Sequence, residues 1–193
     1  MKNYLLTLLT SLVVLAGMPA LATTAVPGTY GLDKSHTNIG FRVSHMGISF
    51  VVGRFNDFQG SFKFEPNGDS SASFSIDVNS IDTNNAHRDG HLKTADFFDV
   101  ASFPRMTFES TRVTYDEAGN PATIEGELTL HGQTNPVVLK VSTVGTGVDQ
   151  LGRTHSGFHA TTTILRSEYG MDKLLLAAGD EVEIIIDIEG VVQ

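Results

Sequence analysis

The sequence predicts an all-β fold: an eight-stranded antiparallel up-and-down barrel with a short helical insert between strands three and four. Three observations carry this expectation. Beyond the first twenty-odd residues, apolar and polar side chains alternate with period 2, the mark of half-buried strands. Turn-forming clusters such as PNGDS (66–70) and EAGNP (117–121) separate the alternating runs. One stretch, NNAHRDGHLKTADFFDV from residue 84, breaks the alternation. Eight antiparallel strands in one domain suit a closed barrel, which leaves no sheet edge exposed. A two-sheet sandwich is the alternative arrangement.

The opening residues are read apart from the fold. Lys2 supplies a positive start, Leu5 to Leu15 is an apolar run, and Ala20-Leu21-Ala22 has the small-x-small form of a cleavage site. This is the pattern of a secretory signal peptide, and the run is too short for a transmembrane helix. Cleavage after Ala22 leaves residues 23–193 as one domain. Loss of Lys2 moves the net charge from −9 to −10. The periplasm is the expected compartment. An acidic chain without a basic cluster is a poor partner for nucleic acid or an anionic membrane surface. With no Cys, disulfides, thiol catalysis and Cys-based zinc sites are excluded.

The strands follow in order. In residues 36–46, Ile39, Phe41, Val43 and His45 share one face, and Asn38, Gly40, Arg42 and Ser44 take the other. Residues 51–66 form one long strand or two, with Gly53 and Gly60 as expected bulges or bends. Residues 71–78 put Phe74, Ile76 and Val78 on one face. After the insert come RMTFESTRVTY (105–115) and TIEGELTLHG (123–132), the latter aligning Ile124, Gly126, Leu128 and Leu130. GQTNP is read as a turn. Residues 137–147, 154–165 and 181–191 complete the set.

Phe41, Phe62, Phe64, Phe74, Phe108 and Phe158 all fall at inward parity, with Phe55 beside a bulge. Any β domain needs such alternation, so these rings could simply fill a core. An eight-stranded interior can also hold one small ligand. An outer-membrane barrel would instead show apolar outer faces and aromatic girdles. This chain has no Trp and four Tyr, one of them in the leader.

In the insert, Asn84 or Asn85 can cap a helix. Asp89 and Lys93 are spaced as an i, i+4 pair. Leu92, Ala95 and Phe98 make a narrow apolar stripe, and Gly90 weakens the helix. Such a helix across a barrel mouth would press Leu92, Phe97, Phe98 and Phe103 towards the opening. His87 and His91 could chelate a metal, but a site needs further ligands, and nothing in the spacing demands His36, His45 or Asp96. No metal and no cofactor are therefore assigned. His155 and His159 share a strand face and are equally weak. There is no GxSxG, HExxH or phosphate loop. Asp33, Ser35 and His36 are close in sequence, but neighbours on a strand point apart. No catalytic residue is named.

The segments YGLDKSHTNIGFRVSHMGIS, VVGRFNDFQGSFKF, VNSIDTNNAHRDGHLKTADFFDVASFPRMTF, GELTLHGQTNPV and EVEIIIDIEGVV, in this order, closely resemble the YceI-like family of bacterial periplasmic proteins. The resemblance spans essentially the whole chain after the leader, and 79–108 is its most specific part. It implies a lipocalin-like barrel holding a long apolar ligand: a polyisoprenoid, quinone-type lipid or fatty-acid derivative. It implies no enzymatic activity, and a homodimer as one expected assembly. On this implication the wall is built from Ile39, Phe41, Val43, Phe55, Phe62, Phe74, Ile76, Phe108, Leu128, Leu130, Leu139 and Phe158. Phe97, Phe98 and Phe103 close one end, and His45, Arg88, His91 and Asp96 anchor the insert.

Overall fold

A computed structural model describes residues 24–66 and 68–193. The expected leader, 1–22, lies outside the described residues. Eleven strands form one sheet that closes on itself. Six of them are halves of three longer staves. β1 (Gly28–Leu32) and β2 (Asn38–His45) lie end to end along β11 (Ala178–Val192). β3 (Ser49–Phe55) and β4 (Phe58–Phe64) pair with β2 and β1 in turn. β5 (Ser71–Asp77) and β6 (Ile81–Asp82) then pair with β4 and β3. β7 (Arg105–Tyr115), β8 (Pro121–Leu130), β9 (Gln133–Val148) and β10 (Thr154–Leu165) are unbroken. Counted as staves, this is an eight-stranded antiparallel barrel with one short helix, α1 (Ala86–Leu92), between the third and fourth. The two-sheet sandwich is set aside by the pairing of β11 with β1 and β2.

The breaks differ from the sequence reading, and each has a local cause. The first stave begins earlier than expected, at Gly28, and is interrupted by a 3-10 turn over Lys34–His36. Asp33 caps that turn, its side chain accepting from Ser35 N at 2.9 Å. Asp33, Ser35 and His36 are thus turn residues, and the expectation that they point apart on a strand is corrected. Gly53 and Gly60 are not bulges, since the ladder runs past both without a shift in register. Of the expected GQTNP turn, only Gly132 lies in the reversal; Gln133–Pro136 are strand, with Pro136 opposite Glu127. The chain reverses one step earlier, at His131 (φ 51°) and Gly132 (φ 73°). A two-residue hairpin with both residues left-handed matches the twist of the flanking strands, and Gly accepts that conformation without strain.

Glycines seat the inward rings. A side chain on Gly53 would collide with the ring of Phe41, on Gly60 with Phe74, on Gly126 with Phe108 and on Gly190 with Phe62. Four bulky rings therefore lie over bare backbone of the wall and leave the axis of the barrel less crowded. At the base, Tyr30 is fully buried and stacks on Phe62 at 4.6 Å. Its hydroxyl bonds Ser156 Oγ at 3.0 Å and donates to the Val26 carbonyl. Ala25 N donates to Asn120 Oδ1 at 3.1 Å, and Thr146 Oγ1 donates to Thr24 O at 3.0 Å. Residues 24–26 thereby pack across this end.

The outer wall carries ion pairs such as Arg42–Glu183 and Arg112–Glu125. Charge outside and apolar rings inside are the inverse of a membrane-spanning barrel.

Candidate functional site

Two compartments lie inside the barrel. The larger, of about 120 Å³, is walled by residues that include Phe62, Phe64, Phe74, Ile76, Phe108, Leu128, Leu139 and Phe158. Among its described lining residues only Lys63, Ser70, Ser71 and Thr162 are polar, and the wall is almost entirely apolar. The second, of about 100 Å³, lies under the insert and is lined by Phe41, Val43, Phe55, Leu92, Phe97, Phe98 and Leu130 among others. Ile39, Met106 and Ile184 belong to both and form a waist between them. A water-sized group needs roughly 10–15 Å³ by the same measure. Each compartment therefore takes a file of several such groups.

These walls follow from the period-2 pattern: alternate residues of every stave face in, and nearly all of those are apolar. Fourteen of the fifteen residues expected at the lumen line one compartment or the other. Phe103 is the exception. The chain turns at Asp99 (φ 43°), and Phe103 packs outside, on Gly132 and edge-on to His131 at 4.9 Å. A Phe in a loop carries no parity, so its side could not be read from spacing.

The polar contacts of α1 centre on Thr83, while Phe98 packs edge-on to Phe55 at 5.9 Å. Asn85 caps α1, its side chain accepting from Arg88 N at 3.0 Å. Arg88 Nε donates to Thr83 Oγ1 and Arg88 Nη2 to Thr83 O, each at 2.7 Å. Thr83 N and Oγ1 both donate to Asp89 Oδ1. Asp89 is thus turned to Thr83 and not to Lys93, which corrects the expected i, i+4 pair. Arg88 does anchor the insert. His91 and Asp96 do not tie it to the barrel: they face each other at 3.5 Å, both exposed, and His91 packs on Phe97. His45 borders an open recess of about 440 Å³, shared with Phe50, Val52, Thr83 and Arg88 and separate from the two compartments.

Arg166 was not anticipated. It is 5 % exposed and lines the second compartment. Its Nε donates to Gly179 O at 2.9 Å, its Nη2 to Lys173 O and Ala178 O, and its Nη1 to Met171 O. Burial pushes the guanidinium down from its ordinary value, while the charges of Asp180 and Asp172 pull the other way. With these four carbonyls bound, Arg166 moulds the loop 171–179 around the mouth. A lone Arg after a strand reads as surface, and only the burial of its neighbours reveals it. The same end exposes apolar tips: Ile48 is 80 % and Leu176 is 97 % exposed, and Met46 N donates to Ala177 O at 2.9 Å between their loops.

Among the described residues, His87 and His91 belong to no group of metal-donor side chains; Asp33, His155 and Glu189 do.

The comparisons fit this architecture. A UPF0312 protein of Pseudomonas aeruginosa is 41% identical over 173 residues, covering 88% of this chain and 90% of its own. The protein YceI of Salmonella arizonae matches with the same figures. Among solved structures, a Campylobacter jejuni YceI protein superposes with TM-score 0.70 at 28% identity, covering 84% of this chain and 96% of its own. A polyisoprenoid-binding domain from Saccharophagus degradans, implicated in plant cell wall breakdown, shares the fold at TM-score 0.62 and 17% identity over 85% of this chain and 98% of its own. The family model described as the YceI-like domain matches residues 30–190, and the chain belongs to that family.

Proposed function

We propose that the protein is a periplasmic carrier that holds one long apolar molecule, a polyisoprenoid, quinone-type lipid or fatty-acid derivative, along the axis of its barrel. The observation that carries this reading is the pair of apolar compartments joined at the Ile39–Met106–Ile184 waist. A core filled by its own side chains would leave no such space. The bore is narrow, which favours an extended chain over a bulky ring system. Each CH₂ moved out of water contributes about 0.8 kcal/mol, so a long chain binds tightly with few polar contacts. The polyisoprenoid-binding domain of Saccharophagus degradans supports the ligand class through its shared fold. Exposed Ile48 and Leu176 beside the cover suit contact with a lipid surface during loading.

The leader pattern supports the compartment, and cleavage after Ala22 belongs to the proposal. The net charge of −9 argues against nucleic acid as a partner. Assembly as a homodimer is part of the same reading and is checked by light scattering. No enzymatic step is assigned.

The test is to purify the protein from periplasm, extract it with organic solvent and identify the extract by mass spectrometry. One isoprenoid or acyl species near one per chain supports the carrier. A native mass equal to the bare chain, together with no uptake of added long-chain lipid, sinks it.

A further inference from the structure

Five side chains meet on the outer wall where the barrel closes, and the lumen uses none of them. Asp33 and His36 come from the turn between β1 and β2, Asp149 from the turn before β10, His155 from β10 and Glu189 from β11. His155 Nδ1 is 2.7 Å from Glu189 Oε1, and its Nε2 is 3.2 Å from Asp149 Oδ2. His36 Nδ1 is 3.0 Å from Asp33 Oδ2 and 4.0 Å from Glu189 Oε2. Asp33, His155 and Glu189 each offer a donor atom within 4.8 Å of the others. The site is partly sheltered: the side chain of His155 is 14% exposed and that of Asp33 22%.

The charges are out of balance. Three carboxylates converge, and among the described residues Arg153, on Asp149 at 2.7 Å, is the cation bound within the group. A neutral imidazole has one N–H. Facing a carboxylate on each ring nitrogen, His155 in its neutral form can donate to only one of them. The other nitrogen then sets a lone pair against a carboxylate oxygen. A cation placed between them relieves both.

We propose that Asp33, His36, His155 and Glu189 bind one divalent transition-metal ion of the zinc type. Two imidazoles and two carboxylates are a donor set that zinc accepts in tetrahedral geometry. Zinc bonds to such donors are about 2.0–2.2 Å long, so the four groups draw inward on binding. His36, 64% exposed, is free to swing. His155 ligates through Nδ1, and Asp149 holds the Nε2–H from behind, the carboxylate–histidine arrangement that orients metal ligands. The ion would join the turn after β1 to β10 and β11. The β1–β11 ladder has three paired positions, Tyr30–Val192, Gly31–Val191 and Leu32–Gly190. The site is therefore a clip across one of the short seams of the barrel, structural in role and separate from the lumen.

The experiment uses the protein stripped with chelator and titrated calorimetrically with zinc chloride, with bound metal counted by elemental analysis. One saturable equivalent per chain is expected. His36→Ala and His155→Ala each weaken it by about tenfold or more, and Asp149→Asn by about 10–100-fold, the usual cost of losing an orienting partner. The double variant His87→Ala/His91→Ala binds as the parent does. Zinc raises the melting temperature of the parent but not of His36→Ala, whose exposed side chain can be removed without disturbing the core. Absence of a saturable site, several weak equivalents, retention of the site in His36→Ala/His155→Ala, or its loss in His87→Ala/His91→Ala would each overturn the assignment.

Discussion

Phe41 faces Gly53 across the β2–β3 ladder, and its ring occupies the space a side chain on Gly53 would need. The pair sets the bore of the second compartment. Gly53→Val pushes the ring into the lumen. We expect a loss of about 1–3 kcal/mol of stability from overpacking, read by urea denaturation, and weaker uptake of long-chain lipid. An unchanged lipid stoichiometry and affinity would show that the ring has another place to go.

Phe41→Asp tests the lumen directly. A carboxylate against the ligand chain forfeits its burial and must itself be hydrated. Lipid binding is expected to vanish while the far-UV circular dichroism stays that of a β protein. If the folded variant keeps its lipid, Phe41 does not touch the ligand.

Arg166 gives a stability prediction. Arg166→Met leaves the carbonyls of Met171, Lys173, Ala178 and Gly179 without their donor. The cost is about 3 kcal/mol or more, since bonds to a charged donor are the stronger kind. Arg166→Lys recovers less than half, because one ammonium cannot reproduce the planar fork. Urea midpoints check both, and a shift within error for Arg166→Met would contradict the moulding role.

Tyr169 gives a pH prediction. Its hydroxyl is buried without a hydrogen bond of good geometry: Asn135, beside it, donates to Glu168 O at 3.1 Å and interacts with the hydroxyl only weakly. Burial pushes the hydroxyl from 10.0 up to about 12. The folded state thus holds a proton that the unfolded chain releases at lower pH. The contribution is fully present below pH 10 and fades as pH rises towards 12. Tyr169→Phe is expected to stabilise the protein by about 1 kcal/mol at neutral pH, by removing an unsatisfied polar group. It should also remove the highest-titrating tyrosinate in an ultraviolet titration. Destabilisation at neutral pH would mean that the hydroxyl has a partner after all.

The staves were legible because the alternation in each is strict, as in Ile39-Phe41-Val43 and Phe74-Ile76. The helix was legible because NNAHRDGHLKTADFF abandons that period. What escaped the sequence were features that no periodicity encodes. Asp33 and His36 meet only because a 3-10 turn interrupts a strand-like run. Gly53 and Gly60 look like bends in one dimension, yet they are seats for rings on neighbouring strands. Phe103 was misplaced because loops lack parity, and His91 and Asp96 because partners within the insert were nearer than the barrel. Tyr30, Ser156 and the 24–26 segment, which together fill the base, depend on contacts more than a hundred residues apart, such as Tyr30–Ser156.

The pairing of β11 with β10, β1 and β2 also dictates when the molecule can become a barrel. Residues 178–192 supply the stave that joins the first strands to β10. Synthesis reaches this stretch after the other ten strands are made. Until then the growing sheet has two open edges, and its phenylalanine-rich inner face is wet. Such a chain folds slowly, because its decisive contacts span most of its length, and its open edges invite pairing with other chains. The polypeptide is therefore most vulnerable to aggregation just before its last strand arrives, and it gains most from a holding chaperone at that moment.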